Sequence, residues 1–219
     1  MDTRSNFHQA VEDLQQELLN MGTLVENSIE GAVEALAKRD ETLAKQTIDQ
    51  DDQIDDKLLQ IEENCLRLIA LQQPMASDLR IIGTALKIAV DLERIADHAV
   101  DIAKIARRLA GKDPVKPLEI IPNMALIVRE MLSESLQSYT QRDVHRAARL
   151  AERDDEVDKL YSSVVEEING LMNSDLARNR ELSQLMLAAH FLERVADHTT
   201  NIGEGVIYMV TGKRKDLNV

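Results

Sequence analysis

Tryptophan is missing from this chain of 219 residues, and aromatic residues make up only 2% of it. Long β-branched and aromatic runs, the kind that pack on the face of a sheet, are missing too, so an all-β architecture is excluded. Four prolines and eight glycines leave little to interrupt helices in a chain rich in Ala, Leu, Glu, Asp, Lys and Arg. The single cysteine, Cys65, excludes an internal disulfide framework and suits a reducing cytosol. It falls on an apolar helical stripe and is expected in the core. No apolar run reaches the roughly 18 to 20 residues of a membrane span, and the acidic, amphipathic N-terminus is unlike a signal peptide. Membrane association is therefore expected only through a partner. Excess positive charge is absent as well: the formal charge is -13 and is spread along the chain. This disfavours nucleic acid and anionic lipid and favours cations or basic protein surfaces as partners.

What is present is helical periodicity. Phe7, Val11, Leu14, Leu18, Met21, Val25, Ser28, Ala32 and Leu36 alternate steps of four and three, one stripe of a first helix. The pattern predicts a second helix over 41–72 and a third over 74–110, with Pro74 in a first turn. Gly111, Pro114 and Pro117 mark a linker. Leu118, Ile121, Ala125, Val128 and Leu132 then open a fourth helix, followed by a fifth over about 144–172 and a sixth over about 180–210. Gly212 and the basic run Lys213-Arg214-Lys215 form its stop.

The two halves are copies. Leu92-Glu93-Arg94-Ile95-Ala96-Asp97-His98 returns as Leu192-Glu193-Arg194-Val195-Ala196-Asp197-His198, a shift of 193 - 93 = 100. Asp51-Asp52-Gln53-Ile54-Asp55 returns as Asp154-Asp155-Glu156-Val157-Asp158, a shift of 154 - 51 = 103. An internal duplication of this kind implies an all-α fold of two tandem, pseudo-symmetric three-helix bundles, residues 1–112 and 118–219.

Carboxylates interrupt the apolar stripes at matched places. Asp51 sits in the seam Ala44, Thr47, Asp51, Ile54, Leu58, Ile61, Cys65, and Asp154 sits in its copy Ala147, Leu150, Asp154, Val157, Tyr161, Val164. Glu93 and Glu193 do the same in the third and sixth helices. A second acid stands four residues on from each: Asp55, Asp97, Asp158 and Asp197. Residues at i and i+4 share a helix face, and Asp101 and Asn201 extend two of these stripes by a turn. On a wet surface such like-charge pairs cost only about 0.2 to 0.5 kcal/mol, so a solvated acidic face is the plain reading. In an apolar seam, unpaired carboxylates cost several kcal/mol each and need cations, protons or tight partners. Oxygen-only ligands at this spacing suit hard cations, meaning Mg, Mn, Ca or iron, without choosing among them. His98 and His198 follow the acids by one residue, about 100° around the helix, which places them in packing or at an interface or behind the acids. Arg94 and Arg194 are expected to pair with neighbouring carboxylates, Asp91 with Arg94 for example.

Catalytic signatures are missing. Di-iron bundles use a Glu-x-x-His pair, and no histidine here has a Glu three residues before it. There is no P-loop, H-E-x-x-H or nucleophile elbow. A non-enzymatic role is expected, with a carboxylate-bridged metalloenzyme and a metal-free helical scaffold as alternatives.

The run Arg67-Leu68-Ile69-Ala70 through Gln73-Pro74-Met75-Ala76-Ser77-Asp78-Leu79-Arg80, followed by the Glu93 to Asp97 motif, closely resembles the PhoU family, accessory proteins of the phosphate-specific transport system. The tail Asn201-Ile202-Gly203-Glu204 leading to Tyr208 and Gly212 is similar to that family's second half. The resemblance covers essentially the whole chain. It implies metal clusters on repeated E/D-x-x-x-D motifs, here Asp51, Asp55, Glu93, Asp97 and Asp101, and Asp154, Asp158, Glu193, Asp197 and Asn201. It also implies dimerisation and a cytoplasmic negative regulator at the inner face of the membrane. Its partners would be the phosphate ABC transporter's ATPase subunit and a sensor histidine kinase. Two departures stand out. Ala96 and Ala196 occupy positions where the family commonly has glycine, and the sixth helix is preceded by Asn173-Ser174-Asp175-Leu176 instead of Gln-Pro.

Overall fold

The computed structural model describes residues 3–112, 119–174 and 176–217, and these form seven α-helices with no strand. They are α1 (Thr3–Lys38), α2 (Glu41–Asp49), α3 (Asp51–Gln72), α4 (Ala76–Leu109), α5 (Ile120–Gln141), α6 (Val144–Ser174) and α7 (Asn179–Thr211). A single 3-10 turn, Leu176–Arg178, leads into α7. Pro114, Pro117 and Leu118 of the expected linker and fourth-helix start, and Asp175, lie outside the described residues.

The expected second helix is corrected in one respect. It is interrupted at Gln50, so that α2 and α3 take the place of one helix over 41–72. Gln50 keeps right-handed helical angles, and the Gln53 N–H donates to the Gln50 carbonyl, a tightened turn and not a change of direction. The local chemistry favours this break. Asp51 and Asp52 become the first residues of a new helix, where the N-terminal end of the helix dipole stabilises negative charge. The copy, α6, runs through the matching Asp154-Asp155 without a break.

The duplication also shapes the connections. Lys38 is followed by Arg39 in the left-handed region (φ 56°) and then Asp40, whose carboxylate accepts the N–H groups of Thr42 and Leu43 at 2.9 and 3.0 Å. After α5, Arg142 (φ 53°) and Asp143 repeat the device, with Asp143 accepting from His145 and Arg146 at 3.0 Å. Each Arg-Asp pair thus ends one helix and caps the next, giving tight antiparallel turns.

Helices α1, α2/α3 and α4 pack as one three-helix group and α5, α6 and α7 as a second; α4 against α7 and α1 against α5 join the groups. One continuous apolar core runs through both, and it includes Cys65, buried as expected. Small residues bring helices close. A Cβ on Gly203 would stand 2.8 Å from Leu150 and 3.1 Å from the Ala147 carbonyl, so α6 and α7 meet there backbone to backbone. The α4–α7 pair is antiparallel: the N-terminal turns of α4 and the C-terminal turns of α7 line one cavity, and their opposite ends line another. Arg39 at the end of α1 forms an ion pair with Glu181 in the first turn of α7, both nearly buried, which ties the two groups together at one end.

Candidate functional site: two carboxylate clusters

Helical phase decides where the acids go. Ile54 and Val157 are fully buried, and Asp51 and Asp154, three residues earlier, lie on the same stripe facing the helix that carries the E-x-x-x-D motif. The result is two clusters. In the first, Asp51 and Asp55 of α3 meet Glu93 and Asp97 of α4. In the second, Asp154 and Asp158 of α6 meet Glu193 and Asp197 of α7. Asp51, Glu93, Asp154 and Glu193 each feel the charge of other acids in their own cluster.

That proximity and burial raise proton affinity. Asp154 is pushed up to about 7, first by burial and then by Asp197, Asp158 and Glu193. Asp51 is pushed up to about 6 by burial, Asp55 and Asp97, against a lowering by Lys104. Glu93, Glu193 and Asp158 are raised as well, in each case mainly by burial and next by Asp97 or Asp197. Desolvation and like charge act in the same direction here.

Asp101 and Asn201 take equivalent places one turn beyond, both partly buried. Asp101 accepts from Lys104 at 3.1 Å, and Asn201 contributes no charge. Arg94 and Arg194 are exposed and pair with Asp97 and Asp197, the former at 2.9 Å. The expected pairing of Arg94 with Asp91 is corrected. Asp91 is buried and turned the other way, toward α7, 3.0 Å from His198 Nδ1. His98 stacks on Phe191, with ring centroids 5.6 Å apart, and stands 5.6 Å from the His198 ring. Both histidines therefore lie at the α4–α7 contact. Burial and His198 lower His98 to about 4. Repeat-equivalent positions 91 and 191 hold an acid and an aromatic residue, so one histidine is hydrogen-bonded and the other stacked. Sequence reasoning missed Asp91 and Phe191. The signal available was this change of chemical type between copies that differ through 92–98 only by Ile95 against Val195.

The donor set suits a hard cation: oxygen donors only, with Asp55 and Asp158 exposed and the other acids at least half-buried, and in the second cluster a buried Glu193 Oε2 with no hydrogen-bond partner among the described residues. His190 Nδ1 stands 3.3 Å from that oxygen, out of line for a hydrogen bond. The side chains are not preformed for ligation. Among the described residues no three His, Cys, Asp or Glu groups converge as a metal site, and the arginines hold Asp97 and Asp197 to one side.

A family model described as the PhoU domain matches the chain twice, over residues 18–106 and 121–206. The chain belongs to the PhoU family. Each match contains one carboxylate cluster. The PhoU homolog of Clostridium acetobutylicum, called a phosphate-specific transport system accessory protein, is 44% identical over 99% of both chains. A Caulobacter vibrioides protein of the same description is 36% identical, over 96% of this chain and 92% of its own. The crystal structure of PhoU from Pseudomonas aeruginosa superposes with a TM-score of 0.88 at 37% identity, covering 94% of this chain and 100% of that one. The phosphate transport system regulatory protein PhoU from Streptococcus pneumoniae gives 0.88 at 31% identity, covering 96% and 99%. These matches bear out the all-helical architecture. No helix among the described residues is long and apolar enough to cross a membrane.

Proposed function

We propose that this PhoU-family chain is a regulatory accessory of a phosphate-specific transport system and not an enzyme. It works on the cytoplasmic side, as a homodimer, held at the inner face of the membrane by its partners. It restrains phosphate uptake and phosphate-starvation signalling when phosphate is plentiful, as an adaptor between the transporter's ATPase subunit and a sensor histidine kinase. One observation carries the reading: the end-to-end similarity, at 44% identity, to a protein whose name states that accessory role. The charge of -13 supports it by offering acidic surface to basic faces of partner proteins.

Within that role, the ten residues Asp51, Asp55, Glu93, Asp97 and Asp101, and Asp154, Asp158, Glu193, Asp197 and Asn201, hold hard cations such as iron, Mn, Mg or Ca. A bound cation would supply the positive charge that lets these partly buried carboxylates stay ionised while crowded together. The protein's own part is to bring acids from two helices together. Asp97 and Asp197 must exchange their arginine partners for the ion, because the side chains do not converge as they stand. That same observation favours a second reading, a metal-free scaffold whose thermal stability ignores chelators.

Tagged protein in phosphate-replete cells is expected to retain the transporter ATPase or the sensor kinase through a pull-down. Recovery of neither would sink the adaptor role.

A further inference from the structure

Away from both clusters, the N-terminal turns of α4 and the C-terminal turns of α7 enclose a cavity of about 670 Å³, within the size range of small-molecule sites. On a chain carrying -13, its lining is locally basic: Arg80, Lys87, Arg214 and Lys215 against Glu204 and Asp216. Glu204 is already engaged, accepting the Leu217 N–H at 2.9 Å. Arg80 is held in place by donating from Nε to the Met209 carbonyl at 3.3 Å. Among the described residues, Lys87 and Lys215 take part in no ion pair. Tyr208 forms part of the wall and carries Arg214 over its ring at 5.9 Å. Helix ending alone accounts for Arg80 and Arg214 near the last carbonyls of α7. It does not account for Lys87, three turns into α4, facing the same space.

The repeat adds a second observation. The other end of the α4–α7 pair has a cavity of about 220 Å³ lined by Arg108, Lys112 and Arg180, where Arg180 is the copy of Arg80. Both ends of this antiparallel pair thus gather cations around open space. Only the larger has room and an aromatic wall for more than a bare anion.

We infer that the cavity between the start of α4 and the end of α7 binds a phosphate-bearing small molecule, its phosphate held by Arg80, Lys87 and Lys215 beside Tyr208. Guanidinium and ammonium donors are the side chains that recognise phosphate oxygens. The same chemistry would accept free inorganic phosphate or the phosphates of a nucleotide. This site is independent of whether the carboxylate clusters hold metal.

Calorimetric titration of the full-length chain, in chelator-containing buffer to keep cations off the carboxylates, separates the sources. Inorganic phosphate, ATP and phosphate-free adenosine are titrated in turn. Saturable binding below about 1 mM is expected for phosphate or ATP and not for adenosine. The tighter of the two identifies the source. Lys87→Gln with Lys215→Gln should weaken it by about tenfold or more. Gly83 lines the cavity, and a Cβ added there meets no neighbouring atom within 4 Å. Gly83→Trp should therefore abolish binding by filling the space while leaving the melting temperature in place. Absence of binding by phosphate and ATP up to about 10 mM overturns the inference. So does equal binding of adenosine, or binding that survives both variants unchanged.

Discussion

The first carboxylate cluster is shallower and better compensated than its copy. Asp51 starts a fresh helix after the break at Gln50, and Lys104 lies close enough to lower its proton affinity while bonding Asp101. In the second cluster α6 runs on unbroken and Asp154 is only 8% exposed. Asn201 replaces Asp101, and position 204, the copy of Lys104, is a glutamate turned to Leu217. The backbone frame was thus duplicated while its electrostatic compensation was not. Asp154 at about 7 and Asp51 at about 6 express the difference. The deeper cluster depends more on a proton or a cation.

The largest effect is expected in the core both halves share. Leu92 and Leu192 are repeat-equivalent and fully buried. Leu92→Ala and Leu192→Ala should each cost about 2 to 5 kcal/mol in denaturant unfolding, within about 1 of each other and in one cooperative transition. Two separate transitions would mean that the halves unfold independently.

Packing divergence between the copies gives the next effect. Gly203→Ala pushes a methyl group toward the Ala147 carbonyl and Leu150 and should lose about 1 to 2 kcal/mol despite alanine's better helix propensity. Its counterpart already carries the side chain, so Ala103→Gly should instead lose roughly 1 kcal/mol from the opposite cause. A stabilised Gly203→Ala protein on thermal melting would show that α6 and α7 do not approach so closely.

Acidity sharpens the electrostatic contrast. A carboxyl whose folded pKa is raised binds more protons folded than unfolded, so stability falls as pH rises through the window between its ordinary and folded values. Metal-free protein should therefore gain a degree to a few degrees in melting temperature between pH 8 and 6.5, chiefly through Asp154. Asp51 adds its share lower down. His98, lowered to about 4, acts oppositely, chiefly between about 6.5 and 4, so in the upper window it offsets only part of the carboxylate gain. Asp154→Asn should flatten that window, and Asp51→Asn should leave most of it. Equal effects of the two would erase the claimed asymmetry.

The smallest effect belongs to the exposed arginines. Arg94→Ala and Arg194→Ala should each change metal-free stability by less than about 1 kcal/mol by chemical denaturation, because surface ion pairs contribute little. A larger loss would make them structural members of the clusters.

Local periodicity made most of this fold legible. The stripe from Phe7 to Leu36 lies buried along α1, and the seams that bury Asp154 and half-bury Asp51, Glu93 and Glu193 read directly from steps of three and four. The break at Gln50 was hidden because its residues keep helical angles and only a hydrogen-bond register changes. Asp91 was misread as a partner of Arg94 because its true neighbour, His198, stands 107 residues away and belongs to the other half. The basic cavity was hidden for the same reason: Arg80 and Lys87 meet Arg214 and Lys215 only once α4 and α7 run antiparallel. Pattern within one helix is local information, and contacts between the halves are not.

Metal content, measured by mass spectrometry on protein purified at pH 8 without chelator, decides whether the two clusters hold cations. Bound metal is expected on the native chain, reduced by Asp197→Ala and removed by Asp97→Ala combined with Asp197→Ala, with a matching fall in melting temperature. A native chain that takes up no Fe, Mn, Mg or Ca when supplied, and melts the same with and without chelator, would contradict it.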